Sequence, residues 1–166
     1  HTEEGVFKDG VQMDANELIR YINTGKDAYS SPPDVKTYTE FFAGALKRAH
    51  HLIHISLTTS MSEDYYTATE AAKAFDNVTV ICSECLSSAT GILALIGYKL
   101  AQQNIPVNEI VEELENVKHR LRCSFIIDNT DFMAKRGYIS KNVGKIAKAL
   151  NLHPYLKFKD DKSSVG

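Results

Sequence analysis

Residues 52–62 read Leu52-Ile53-His54-Ile55-Ser56-Leu57-Thr58-Thr59-Ser60-Met61-Ser62. The first six are mostly aliphatic, which predicts a buried strand. A turn rich in hydroxyl groups follows. The helical spacing of Tyr65, Ala68 and Phe75 then predicts a helix. This strand–turn–helix order is the first half of a βαβ unit, and it decides the fold class.

The same alternation continues toward the C-terminus. Residues 78–81 and 123–127 predict two further strands, and helices are predicted around residues 92–96 and after Pro106. Strands that alternate with helices favour parallel pairing through right-handed crossovers. The sequence therefore predicts an α/β fold with a mainly parallel sheet flanked by helices.

The two ends of the chain carry separate signals. Asp14 and Glu17 have the spacing of a capping box, and Asp34 is placed to cap a second helix. Near the other end, residues 130–135 and 141–150 predict helices, and residues 152–158 a last strand. Residues 159–166 are polar, and we expect them to be frayed.

Composition excludes several classes of function. The chain of 166 residues is 43% hydrophobic and 24% charged, as in a soluble globular protein. Its 19 basic and 21 acidic residues give a net charge of −2, which does not favour nucleic acid or anionic membranes. No apolar run reaches about 18 residues, so a membrane-spanning segment is not expected. An odd number of cysteines, three, predicts a reducing, cytoplasmic location.

Three hydroxyl-rich loops precede predicted helices, and two of them follow predicted strands. Ligands in α/β sheets bind where parallel strands end, and helix N-termini offer free N–H groups. We therefore expect a site for a small anion, a carboxylate or a phosphate. The alternative is that these hydroxyls only cap helices and turns. The candidate residues are Thr58, Thr59 and Ser62 in the first loop, Ser83 and Ser87 in the second, and Ser30 and Ser31 in the third.

An enzymatic alternative rests on two cysteines. Cys82 and Cys85 form a C-x-x-C motif after a predicted strand and before a helix, as in thiol redox proteins. A lone motif of this kind is weak support. A structural zinc site needs four ligands, and only Cys123, with His119 nearby, could join these two cysteines. A Gly-rich phosphate-binding loop is missing as well, so neither a metal site nor a cofactor is expected.

Several motifs together resemble one known family. Residues 55–68 resemble the signature loop of the DegV family, I-S-x-S-S-G-L-S-G-T-Y-x-S-A. The segment Val80-Ile81-Cys82-Ser83, with Ser87 and Gly91, is similar to its V-x-D-S-x-x-x-S-x-x-x-G. Residues 132–140 are similar to Y-L-x-x-G-G-R-I-S. The resemblance extends over about residues 6–160.

The resemblance implies a bacterial lipid-binding module rather than an enzyme. It implies that Ser and Thr hydroxyls hold the carboxylate of a long-chain fatty acid while an apolar tunnel holds the acyl chain. The carboxylate ligands would be Thr59 and either Ser30 or Ser31, with Thr58, Ser62, Ser83 and Ser87 close by. Tyr138 stands where the family has an arginine beside the head group. The implied partners are the fatty acid, a fatty acid kinase subunit or fused domains, and a second copy in a homodimer.

The chain is shorter than a complete member of that family. We expect residues 1–121 to be the DegV-like core, and residues 122–166 to begin a second subdomain or form an extension packed on the first. The family's arginine is replaced by Tyr138, and the aspartate before Ser83 by Cys82. These differences support an alternative, a DegV-like sensory or protein-interaction domain that has lost lipid binding.

Overall fold

The computed structural model describes residues 1–150 and 152–166, and in these it has seven helices and five strands. The chain divides into two compact units, His1–Pro33 and Asp34–Gly166. The first unit contains one helix, α1, at Ala15–Asn23. The Asp14 carboxylate accepts from the Glu17 amide at 2.8 Å, and the Glu17 carboxylate accepts from the Asp14 amide at 2.7 Å. This is the predicted capping box.

The second unit is built around a parallel strand pair. Its first helix, α2, covers Val35–Leu46 and is capped by Asp34, as predicted. Strand β1 at Leu52–Ser56 pairs with β2 at Val78–Cys82, with Ser56 opposite Cys82. Helix α3 at Asp64–Ala72 connects the two strands. Both strands therefore end at the same edge, where the loops after Ser56 and Cys82 begin.

Helices cover both faces of this strand pair. On one face, α2 and α3 bury a cluster of Tyr38, Phe42, Ala68 and Ala71. On the other face lie α4 at Ser87–Gln102 and α5 at Val107–Lys118. They bury Leu93, Ile110 and Leu114 against Ile81. Side chains of a strand alternate between its two faces, so each face receives its own apolar set.

An antiparallel sheet follows. Strands β3 at Cys123–Ile126, β4 at Tyr155–Lys159 and β5 at Lys162–Val165 pair in the order β3-β4-β5. Helices α6 at Thr130–Lys135 and α7 at Lys141–Ala149 lie between β3 and β4 in the chain. The sheet and α6 bury a third cluster of Ile127, Ile139, Leu156 and Phe158, against which Met61 and Leu86 pack.

The turn between β4 and β5 has two residues, Asp160 and Asp161. Lys159 pairs with Lys162, and the turn residues have φ angles of 51° and 58°. Two left-handed residues are typical of the type I′ turn that closes two-residue hairpins. Asp and Asn are, after Gly, the residues that tolerate this conformation best.

The α/β fold class is confirmed. Strand β3 pairs antiparallel with β4, and the parallel pairing is that of β1 with β2. The expectation that residues 159–166 are frayed is wrong. All four residues of β5 are exposed, yet their backbones pair with β4. Polar composition indicates exposed side chains, and it does not prevent backbone hydrogen bonding. Among the described residues, none of the helices has the length and apolarity that crossing a bilayer requires.

Candidate functional site

The loops after β1 and β2 meet at the strand ends. The Thr58 amide donates to the Cys85 carbonyl at 3.0 Å, and the Ser83 amide donates to the Ser56 carbonyl at 3.0 Å. These two bonds extend the strand pairing into the loops. Thr58 is fully buried, while Thr59 is half-buried. The first two candidate loops therefore lie side by side, as the sequence indicates for neighbouring parallel strands.

Thr58 and Thr59 direct three donors at one carboxylate, that of Asp161. The Thr58 hydroxyl donates to Asp161 Oδ1 at 2.6 Å, and the Thr59 amide donates to the same oxygen at 2.8 Å. The Thr59 hydroxyl donates to Asp161 Oδ2. Ser60 Oγ lies 2.9 Å from Thr58 Oγ1, and since the Thr58 proton goes to Asp161, Ser60 is the donor there. We call the three donors of Thr58 and Thr59 the threonine cradle.

The electrostatics of the threonine cradle favour an ionised carboxylate. Burial opposes ionisation of Asp161, but the hydrogen bonds from Thr58, Thr59 and Cys82 outweigh it and hold the pKa of this carboxyl below its usual range. Cys82 Sγ lies 3.7 Å from Asp161 Oδ1. The cradle can therefore hold a carboxylate with neutral donors.

The cysteines do not have the properties of a redox centre. All three cysteines are free thiols, and Cys82 and Cys85 are buried. Burial raises the pKa of both thiols. A reactive cysteine needs a lowered pKa and access to solvent. The structure thus gives no support to thiol chemistry at the C-x-x-C motif.

Ser83 and Ser62 bond within their own loops. The fully buried Ser83 hydroxyl donates to the Cys85 carbonyl at 3.0 Å and lies 2.8 Å from Thr90 Oγ1. Ser62 Oγ accepts from the Asp64 amide at 3.1 Å. This places Ser62 at the start of α3, although the N-cap position itself is Glu63. For these two serines the observed contacts are those of turn and helix-end residues.

The other predicted residues lie apart in sequence or are exposed. Ser87 is exposed at the first position of α4, with a left-handed φ of 49°. Tyr138, between α6 and α7, is 37% exposed. Ser30 and Ser31 belong to the first unit and are exposed, and Ser31 Oγ lies 2.7 Å from His1 Nε2. Their roles in binding stay predictions.

Sequence reasoning missed Asp161. A signal was present, because Asp160-Asp161 follows a predicted strand, and Asp tolerates the left-handed backbone that a two-residue hairpin turn requires. No local pattern, however, indicates that the turn reaches Thr58.

A cluster of possible metal ligands lies close to the hairpin turn. Glu84, His119 and Asp160 each bring one ligand atom within 4.8 Å of the others. Lys118 Nζ lies 3.2 Å from Glu84 Oε1 and supplies positive charge at that carboxylate. Lys159 Nζ lies 3.9 Å from Asp160 Oδ2, so each carboxylate of the cluster has a lysine as an ion-pair partner.

Comparison with known proteins gives a consistent match. The family model described as "Uncharacterised protein, DegV family COG1307" matches residues 1–165. A DegV domain-containing protein of Staphylococcus aureus (strain N315) is 28% identical over 155 residues, which is 92% of this chain and 56% of the relative. One from Deinococcus radiodurans is 26% identical over 166 residues, 99% of this chain and 59% of the relative.

Solved structures show the same fold. A DegV family protein from Thermus thermophilus, described as fatty acid binding, superposes with a TM-score of 0.86 at 21% identity, covering 99% of this chain and 60% of that one. A DegV family protein from Eubacterium eligens, loaded with heptadecanoic acid, gives a TM-score of 0.85 at 17% identity, covering 100% of this chain and 62% of that one. The chain thus spans somewhat more than half the length of the proteins it matches.

Proposed function

Because this chain belongs to the DegV family, we propose that it binds a long-chain fatty acid. The carboxylate would bind to the threonine cradle, and the acyl chain would lie in an apolar tunnel. The solved relatives support this proposal, since their descriptions name fatty acids as ligands of those proteins.

The observation that carries the proposal is the convergence of three donors on one carboxylate. Two threonine hydroxyls and one amide surround the Asp161 carboxylate, and residues 57–62 contain no lysine or arginine. Neutral donors suit a carboxylate that is attached to a hydrocarbon chain. Neutral donors compensate the charge of the carboxylate, and they avoid the free-energy cost of desolvating a buried ion pair.

Apolar side chains begin directly beside these donors. Met61, two residues after Thr59, packs against the cluster of Ile127, Ile139, Leu156 and Phe158. Leu86, from the loop after β2, packs against the same cluster. An acyl chain whose head group is at Thr59 would therefore begin close to Met61 in the chain, and each methylene that it buries would contribute about 0.8 kcal/mol.

We propose a binding protein without catalytic chemistry of its own. The groups that surround the Asp161 carboxylate at the strand ends are hydroxyls, one amide and a thiol whose pKa burial raises. A fatty acid kinase partner, a homodimer and a cytoplasmic location stay proposals that rest on the family resemblance and the cysteine count. The roles of Ser30, Ser31, Ser62, Ser83, Ser87 and Tyr138 in ligand binding stay predictions as well.

The test begins with the ligand itself. The chain is expressed in bacteria, its lipids are extracted, and the intact protein is weighed by native mass spectrometry. A mass increment equal to one fatty acid is the expected result. If neither method finds fatty acid, and added palmitate binds neither to this chain nor to its Asp161→Gly variant, the alternative of a sensory or interaction domain takes its place.

A pair of variants then tests the head-group contact. Both variants are made in a chain that carries Asp161→Gly, so that no carboxylate of the protein occupies the threonine cradle. Thr59→Val keeps the shape and removes the hydroxyl, and we expect it to weaken palmitate binding by about 0.5–3 kcal/mol. Thr59→Ser restores the hydroxyl and should bind as the Asp161→Gly parent does. Thr67→Val is the matched control, because the Thr67 hydroxyl donates to the carbonyl of Glu63, the N-cap residue of α3. Equal binding by Thr59→Val and Thr67→Val would contradict the assignment.

A further inference from the structure

The threonine cradle already holds a carboxylate that belongs to the chain itself. Asp161, at the tip of the β4–β5 hairpin, accepts from the hydroxyls of Thr58 and Thr59 and from the Thr59 amide. These are the donors that the proposed function assigns to the ligand. The inference below rests on that function.

The two carboxylates cannot use the cradle together. A hydroxyl has one proton to donate, and so has a backbone amide. The protons of Thr58 Oγ1, Thr59 Oγ1 and Thr59 N are all directed at Asp161. A second carboxylate at the same place would find no free donor there and would face a like charge at close range. Occupation by Asp161 and by a ligand is therefore mutually exclusive.

We propose that Asp161 competes, within the same molecule, with the ligand's carboxylate for the threonine cradle. The hairpin tip occupies the threonine cradle when the site is empty, and it withdraws when the ligand's head group binds. The fraction of molecules with an open cradle then sets the apparent affinity for the fatty acid.

The contacts of Asp161 suit a reversible competitor. Its described partners are neutral hydroxyl, amide and thiol groups, so an incoming carboxylate takes over the same kinds of hydrogen bond. Two nearby lysines pair with other carboxylates, since Lys159 Nζ lies 3.9 Å from Asp160 Oδ2 and Lys118 pairs with Glu84 and Glu115. Exchange of one carboxylate for another therefore has a small net cost in hydrogen bonding.

The hairpin can release its tip without loss of its base. Leu156 and Phe158 of β4 are buried and hold the strand in the third cluster. All four residues of β5 are exposed, and the turn consists of Asp160 and Asp161 alone. A local movement of the tip thus breaks the contacts with Thr58 and Thr59 while the apolar packing stays intact.

Two glycine variants of the same turn provide the test. Both turn residues have left-handed backbones, a conformation that glycine adopts without strain. Asp161→Gly removes the competitor, while Asp160→Gly removes the adjacent carboxylate, which is not among the described partners of the cradle. Binding of radiolabelled palmitate is measured by equilibrium dialysis, and thermal unfolding shows that both variants fold. We expect Asp161→Gly to bind palmitate about tenfold more tightly or better, and Asp160→Gly to match the wild type.

Each result decides the proposal. Tighter binding by Asp161→Gly alone, or binding by this variant when the wild type binds nothing, supports it. Equal binding by wild type and Asp161→Gly overturns the competitor while the proposed function stands. Weaker binding by Asp161→Gly also overturns it, because Asp161 then supports the ligand. Absence of binding by every form overturns the proposed function and the competitor together.

A second ligand separates the contribution of the head group to binding from that of the hydrocarbon chain. Methyl palmitate has the same hydrocarbon chain and no ionised carboxylate. We expect the gain from Asp161→Gly to be at least several-fold larger for palmitate than for methyl palmitate. A gain of the same size for both ligands would mean that the variant only opens the apolar site, which overturns the competition for the cradle.

Discussion

Thr58 and Asp161 lie 103 residues apart in the chain, yet Thr58 Oγ1 and Asp161 Oδ1 are 2.6 Å apart. At the scale of single residues, this contact shows that the loop after β1 binds a carboxylate. A buried hydroxyl needs a partner, and a half-buried carboxylate needs donors. The loop and the hairpin tip satisfy each other.

The titration of Asp161 is the first residue-scale prediction. Its folded-state pKa is lowered, so its hydrogen bonds add stability at neutral pH, and this stability is lost as the pH falls through the folded pKa. An NMR titration of the side-chain carboxyl carbon should give a midpoint below the ordinary value of 3.8. In Thr59→Val the midpoint should move up toward that value. A midpoint at or above 3.8 in the wild type would contradict the cradle contacts.

His54 gives the second residue-scale prediction. It points from β1 to the rings of Tyr38 and Phe42, and burial lowers its pKa, with a smaller opposing effect from Asp64. A lowered pKa means that the unfolded chain binds the proton more readily, so stability falls as the pH drops below about 6.5. The free energy of unfolding should decrease between pH 6.5 and 5.5, by at most about 1.4 kcal/mol per pH unit for this group.

The control for this prediction is His54→Phe, which keeps an aromatic ring in the cluster. Urea unfolding at both pH values should show a smaller pH dependence for the variant. An unchanged pH dependence would assign the effect to other groups.

At the scale of elements, helix α4 offers a matched pair of glycines. A Cβ on Gly97 would lie 3.2 Å from Leu114 Cδ1 of α5, while Gly91 in the same helix has no neighbour within 4 Å of such an atom. Replacement of an exposed helical glycine by alanine gains about 0.5–1 kcal/mol. Crowding of a packed core costs about 1–3 kcal/mol.

We therefore expect Gly91→Ala to be more stable than the wild type, and Gly97→Ala to be less stable than Gly91→Ala by about 1 kcal/mol or more. Chemical denaturation of the three proteins measures both differences. Equal stability of the two variants would show that Leu114 moves away without cost.

The β4–β5 hairpin shows how an element depends on backbone pairing more than on composition. Residues 162–165 are exposed and mostly polar, but each pairs with a residue of β4. Strand β4 is anchored by alternating burial, with Leu156 and Phe158 inside and Lys157 and Lys159 outside. The hairpin thereby positions Asp161 at the strand ends of the other sheet.

At the scale of the whole molecule, the chain spans 56% of a curated relative and 60% of a solved one. These relatives are therefore longer than this chain, and the activity and partners of a protein of their full length stay proposals. We still propose residues 1–121 as the family core and residues 122–166 as an extension packed on it. Met61 and Leu86 support this, because they pack against a cluster whose buried members lie in that extension.

A truncation after residue 121 tests this organisation. The shortened chain would expose Met61 and Leu86 and would lose Asp161 from the threonine cradle. We expect a lower unfolding temperature and binding of a hydrophobic dye. The control is a chain of residues 34–166, which retains all three buried clusters and should unfold cooperatively. An unchanged unfolding temperature for the truncated chain would contradict the packing.

Local patterns were sufficient to predict the α/β class, the capped helices and the strand ends where hydroxyl groups gather. These features depend on residues that are close in sequence, such as Asp14 and Glu17 or the run from Leu52 to Thr59. Local patterns were not sufficient to predict the antiparallel pairing of β3 with β4, the hairpin or the contact of Asp161 with Thr58 and Thr59. Those features depend on contacts between distant segments, and a periodic pattern shows which face is apolar without showing which segment covers it. The tertiary structure alone brings a carboxylate from the end of the chain to Thr58 and Thr59, because only folding places two sheets side by side.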